Sequence, residues 1–203
     1  MKINFAQNYT SFGKTLIATG GYLNNGKSEP CNFYKLDSAE DSKLVKEIVN
    51  SDEWIDSQLI TAYQSNFDCD DWETDEFYIA ENKDGKCIAI SQLYDPSIND
   101  KEGKGVYILE TSPNLCSDNK NRKTKYIGET FLAFITKLAW QKGYAVDIPL
   151  AVDTALPFYV DKCHFKKVGT SDGEYTPITL YAEDFFDLIL QNEEHTKTQI
   201  KFV

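Results

Sequence analysis

The stretch KNRKTKYIGETFLAFITKLAWQKG, residues 120–143, places four cations, Lys120, Arg122, Lys123 and Lys125, directly before the strongest helical pattern in the chain. Phe131, Leu132, Ile135, Leu138 and Ala139 recur at helical spacing, and Gly143 stands where such a helix would end. A helix N-terminus presents unpaired backbone N–H groups and the positive end of its dipole. Gly128, at that start, lets an anion approach the backbone closely, so the junction suits a diphosphate. A basic surface loop that merely precedes a helix is the competing reading of this segment alone.

Upstream of the junction, FYIAE and KCIAISQLY are β-rich runs separated by NKDG, whose Asp84-Gly85 pair predicts a tight hairpin. A polar loop, DPSINDKEGKG, leads to a third strand, VYILE, which ends near Ser112-Pro113 because proline cannot donate to a central ladder. Earlier still, NFYKL reads as a strand and SAEDSKLVKEIV and WIDSQLITAYQS as helices, followed by an acidic loop, FDCDDWETDE. Downstream come a strand around VDIPLAV, a short helical piece TALPFYVDKCH with Pro157 near its start, and strands FKKVG and PITLYA. This order predicts a mixed α/β fold with a central, mostly antiparallel twisted sheet flanked by helices.

The expected organisation is a single domain over residues 1–203, with a core at 32–182. Residues 1–31 are expected to form a hairpin or irregular arm packed on that core. The segment 183–203, an apolar FFDLIL followed by a polar end, is expected to fray.

Hydrophobic residues make up 41% of the 203 and charged residues 26%, enough apolar content for a packed core rather than a disordered chain. The formal net charge of −11 opposes nonspecific nucleic-acid binding, which requires a basic face. It suits a cationic small molecule, or simply keeps the protein in solution. Five cysteines, odd in number and without a C-x-x-C pair, suggest neither a disulfide framework nor a zinc site, and no metal is expected. The N-terminus lacks the apolar stretch of a signal peptide and no segment is long and apolar enough to span a membrane, so a cytoplasmic location is expected.

LETSP at the end of the third strand, a basic loop ending in glycine, and a helix closing on QKGY together resemble motif A of the GNAT family of N-acetyltransferases. That loop reads R/Q-x-x-G-x-G/A in the family, with a helix of about four turns running to a glycine, as Gly128 and Gly143 do here. Lys123 then falls at the Arg/Gln position and Tyr126 at the first glycine, where a tyrosine is expected to avoid glycine-only backbone conformations. The connection NLCSDNKN before the loop is longer than the family's. Further on, ALPFYVDKCHFKKVG resembles motif B, A-x-x-F-Y-E-K-x-G-F. Anchoring on Ala155 places Tyr159 at the motif's tyrosine, anchoring on Phe165 places Val160 there, and His164 replaces the glycine. The resemblance covers Asn32 to Ala182.

The resemblance implies the GNAT-like acyl-CoA N-acyltransferase fold, with acetyl-CoA as co-substrate and an amine acceptor as partner, and leaves a homodimer open. It implies that two strands splay apart and that the pantetheine arm pairs with backbone around Leu109 and Thr111. The diphosphate would meet Lys123, Thr124, Lys125, Tyr126, Ile127, Gly128, Glu129 and Thr130. Asp153 stands near the place of an asparagine that hydrogen-bonds pantetheine. Glu110 is the candidate base or amine-binding group, with a solvent-facing carboxylate as its alternative. Tyr159 is the candidate acid for the departing thiolate, with core packing as its alternative. His164 and His195 fit no nucleophile pattern and are expected to be structural, and Cys163 and Cys116 to be inert. Trp54, Tyr63, Trp72, Phe77 and Tyr94 line an acceptor pocket or pack the core.

The function implied is acetyl transfer to a primary amine of an unidentified small molecule or protein, by direct attack in a ternary complex. The alternative is a catalytically silent CoA-binding or acidic protein-interaction module that retains the fold.

Overall fold

The structure is a computed structural model that describes residues 14–36, 76–94, 103–111, 123–142 and 145–203. The helices expected in SAEDSKLVKEIV and WIDSQLITAYQS, the acidic run before Glu76, and Trp54, Tyr63, Trp72, Lys120 and Arg122 lie outside those residues.

Among the described residues, ten strands and two longer helices follow in chain order. They are β1 (Lys14–Asn24), β2 (Lys27–Leu36), β3 (Glu76–Asn82), β4 (Cys87–Tyr94), β5 (Gly103–Thr111), β6 (Thr124–Lys125), α1 (Ile127–Lys142), β7 (Ala145–Val152), β8 (Lys166–Lys167), β9 (Tyr175–Leu180), α2 (Phe185–Thr196) and β10 (Lys201–Phe202). One sheet runs β10-β1-β2-β3-β4-β5-β7-β9-β8, with β6 also paired to β1. Among the described residues every pairing is antiparallel except β5 with β7, which matches the fold class expected from the sequence.

Of the hairpin and the irregular arm expected here, the described residues take the hairpin, and it lies within the sheet rather than on the core. Asn25 and Gly26, at φ 52° and 74°, make the two-residue turn that an Asn-Gly pair favours, and β1 and β2 enter the sheet as a long hairpin. Pro30 is tolerated in β2 because it pairs with Gly21 beyond the point, Cys31, where pairing to β3 begins. The β3–β4 hairpin closes as its sequence predicts: the Asn82 side chain accepts from the amides of Asp84 and Lys86, and Gly85 sits at φ 75°.

Helix α1 packs across the sheet. Phe33 of β2 stacks on Phe134 at 4.3 Å between centroids and meets Phe131 edge-on at 5.6 Å. Phe131 to Thr136 are buried without a break, which a helix covered on one side alone does not show. The second cover is α2, whose Phe185, Leu188, Asn192 and Thr196 are buried. The expected fraying beyond Asp184 is therefore corrected: helical spacing of apolar and small polar residues gives this segment a face to bury. Beyond it, β10 pairs with β1, and the Val203 amide donates to the Ile17 carbonyl at 3.0 Å.

Two irregularities position the site. The β4–β5 register shifts between Gln92/Leu93 and Ile108/Val106, which makes Tyr107 an extra residue in β5. Strands β5 and β7 pair only over Gly103–Gly105 and Ala145–Asp147. Two residues past the last pair stands Pro149, which has no N–H to offer either neighbour, and the β7–β9 register also breaks between Ile148 and Ala151.

Candidate cofactor cleft

Where β5 and β7 cease to pair, a cleft of about 430 Å³ opens. Leu109 and Thr111 of β5 form one wall, and Thr124, Lys125, Tyr126, Ile127, Gly128 and Glu129 form one end. The other wall is Thr154, Pro157, Phe158, Tyr159 and Lys162. The segment expected to be a short helix is thus a 3₁₀ turn, Asp153–Ala155, followed by a π-helical turn, Pro157–Lys162, with Pro157 at its start where no N–H is required.

The loop entering α1 is anchored before it reaches the cleft. The Asn25 amide donates to the Lys123 carbonyl at 2.8 Å, and Thr124 and Lys125 pair with Asn24 and Leu23 of β1. Lys123 is exposed and does not line the cleft, whereas Lys125 does, together with Lys162 opposite. Tyr126 lies at φ 67°, a left-handed backbone conformation, against the expectation that a tyrosine here would avoid one. Gly128 faces across the cleft: a Cβ there would lie 3.3 Å from Phe158 Cζ and 3.8 Å from Thr111 Cγ2.

Glu129 places a carboxylate, 4% exposed, in the first turn of α1. It accepts from Gln191 Nε2 at 3.2 Å and Asn192 Nδ2 at 3.3 Å, and His195 Nδ1 lies 3.0 Å away. Thr130 turns from the cleft, donating to the Gly21 carbonyl at 2.9 Å. Motif spacing could not have shown that Glu129 is answered from α2, because the partners are far along the chain.

Tyr159 lines the cleft and Val160 does not. Its ring lies edge-on to Phe158 at 5.2 Å and Phe165 at 5.8 Å. Burial, and secondarily the neighbouring Cys163, push its phenol up to about 12. Burial also raises the Cys163 thiol, with the Glu129 charge adding to it, so this cysteine stays protonated and unreactive.

Asp153 stands apart from its expected role. Its carboxylate accepts from Ser171 and Thr176 hydroxyls, both at 2.6 Å, and those bonds hold it below the usual carboxylate range. It braces the turn after β7, and the adjacent Thr154 reaches the cleft instead. Glu110 lies between Leu109 and Thr111 in β5, in register with Ile90. Phe77 is buried in β3 and Tyr94 ends β4. Thr154, in the 3₁₀ turn, and Phe158 and Lys162, in the π-helical turn, escaped the sequence reading because turns this short have no hydrophobic period by which to place their faces.

A mostly antiparallel sheet that opens between two parallel neighbours, crossed by a helix starting at the opening, is a GNAT-like fold. A protein from Lactobacillus plantarum assigned as an N-acetyltransferase superposes with a TM-score of 0.52 at 16% identity, over 73% of this chain and 95% of that one. A protein from Desulfovibrio desulfuricans assigned to the GNAT family of acetyltransferases gives 0.50 at 13% identity, over 73% and 96%. No protein-family model and no curated protein sequence matches the chain. Among the described residues, no helix is long and apolar enough to cross a membrane.

Proposed function

We propose that this chain is a single-domain cytoplasmic acetyltransferase that moves an acetyl group from acetyl-CoA to a primary amine by direct attack in a ternary complex. The observation that carries this reading is the cleft itself. It joins an open β-strand edge, a helix N-terminus with a side-chain-free residue, and a protonated phenol.

Acetyl-CoA would supply a thioester as acyl donor. The backbone of Leu109–Thr111 would accept its amide-bearing arm as an added strand. Lys125, Lys162 and the first amides of α1 would meet its diphosphate, and at Gly128 no side chain stands between those amides and the cleft. Glu110, on the strand edge, is the candidate to take the proton of the attacking amine. The Tyr159 phenol keeps its proton at neutral pH. Complete transfer to a thiolate of ordinary basicity, near 8.5, would be uphill by about 5 kcal/mol. Tyr159 therefore acts as a hydrogen-bond donor to the departing sulfur, and solvent completes the protonation. The acidity of the chain favours a cationic acceptor.

One observation favours a second reading, a fold retained without the cofactor: the Glu129 carboxylate stands in the turn where a diphosphate would bind. Calorimetry with acetyl-CoA separates the two. Micromolar binding, weakened about tenfold in Lys125→Ala and Lys162→Ala, is expected of the enzyme. Absence of binding to the unaltered chain would leave the second reading standing.

A further inference from the structure

Four non-glycine residues among those described have positive φ: Asn25, Tyr126, His164 and Lys197. Asn25 sits in a two-residue hairpin turn and Lys197 caps the end of α2, both settings that ordinarily require this conformation. The other two serve the cleft. Tyr126, at 67°, turns the chain into α1 and lines one end. His164, at 64°, closes the turn that carries Phe158, Tyr159 and Lys162, and the next amide, Phe165, donates back to the Tyr159 carbonyl at 3.1 Å.

Both are held from the same face of α2. The His195 ring stacks on Tyr126 at 4.5 Å between centroids and 17° between planes. One helical turn earlier, Gln191 reaches His164, with Oε1 and Nε2 3.2 Å apart. Gln191 Nε2 donates to the Lys162 carbonyl at 2.6 Å and to Glu129, which fixes its amide orientation and makes His164 the donor to Oε1. His195 and Asn192 bind the same Glu129 carboxylate, and an ionised carboxylate can only accept, so His195 carries a proton on Nδ1. Asn192 Nδ2 also donates to Thr130 Oγ1 at 2.9 Å. Both histidines of the chain thus belong to one network centred on Gln191 and Glu129.

We propose that α2 positions the cofactor cleft. Gln191 and His195 hold the two left-handed residues on which one end and one wall of it turn, and with Asn192 they engage the Glu129 carboxylate, offsetting its charge beside the anion end. The inference rests on the reading of the cleft as an acetyl-CoA site. The mechanism is conformational: apparent affinity falls with the fraction of molecules whose loop is in the competent shape.

The experiment uses the full chain and two readouts, amide hydrogen exchange and acetyl-CoA calorimetry. In His195→Ala, exchange at Thr130, whose amide donates to the Tyr126 carbonyl at 2.8 Å, is expected to quicken and affinity to fall about tenfold, with β3 and β4 amides unchanged. In Gln191→Ala the same is expected at Cys163–Phe165. Glycine adopts positive φ without support, so Tyr126→Gly is expected to restore affinity to His195→Ala, and His164→Gly to Gln191→Ala, each pair and not the crossed one. Should His195→Ala alone fail to fold, recovery of folding by Tyr126→Gly supports the proposal and failure to recover overturns it. Unchanged exchange in both single variants, or rescue by either glycine indiscriminately, also overturns it. If the unaltered chain binds no acetyl-CoA, the functional reading falls, while the exchange pattern still decides whether α2 sets the loop and the turn.

Discussion

Tyr126 holds a backbone conformation that disfavours an L-residue by about 1–2 kcal/mol, and it does so at the entrance to α1, the more buried of the two longer helices among the described residues. The spacing of the sequence put Gly128 in the first turn of α1, because a short loop before a periodic helix is a local pattern. It misjudged Tyr126, because what permits that conformation is an imidazole on another element. The same division separates Tyr159, one of two positions the motif offered, from Asp153, whose carboxylate is taken by hydroxyls that only the folded turn brings near. Replacing Tyr159 with phenylalanine is expected to lower turnover about a hundredfold, the usual effect of losing one donor to developing charge. The acetyl-CoA dissociation constant should stay within about twofold, since a ring of the same shape remains against Phe158 and Phe165. Steady-state kinetics beside calorimetry checks this, and equal turnover would remove the phenol from the chemistry.

Among the elements, α1 and the β3–β4 hairpin announce themselves through a 3.6-residue period and an Asp-Gly turn. Helix α2 did not, because two of the five residues it buries are polar. Asn192 and Thr196 lie inside beside Phe185 and Leu188, and a periodicity built on apolar residues passes over them. The opening between β5 and β7 was legible only through the family resemblance, not from the residues themselves, since pairing in a parallel ladder depends on register across distant segments. Leu188 is fully buried in the core that α2 shares with α1. Leu188→Ala is therefore expected to destabilise the protein by about 3 kcal/mol, lowering the thermal midpoint by roughly 6–12 °C. Differential scanning fluorimetry would detect it, and a shift below one degree would mean that α2 carries little of the core.

For the whole molecule, burial of acidic groups sets a limit at high pH. Burial pushes the Cys31 thiol and the Tyr159 phenol up to about 12 each. Both are neutral when protonated, so above their ordinary values of 9.0 and 10.0 the unfolded chain releases protons that the folded chain retains. Stability is thus untouched by these groups below about pH 9 and declines as pH rises toward 12. Urea midpoints are expected to be lower at pH 10.5 than at pH 8, and the difference should shrink in Cys31→Ala; equal midpoints at the two values would contradict the burial. A separate consequence follows from the pairing of Ala18 with Phe202, which joins strands from opposite ends of the sequence. Such a contact closes late, after the rest of the sheet has found its register. Until it does, β1 offers a bare row of amides and carbonyls along the stretch that β10 will cover. A neighbouring molecule at the same stage offers an identical row, so recovery from denaturant should worsen steeply with protein concentration and improve when the last strand is supplied as a free peptide.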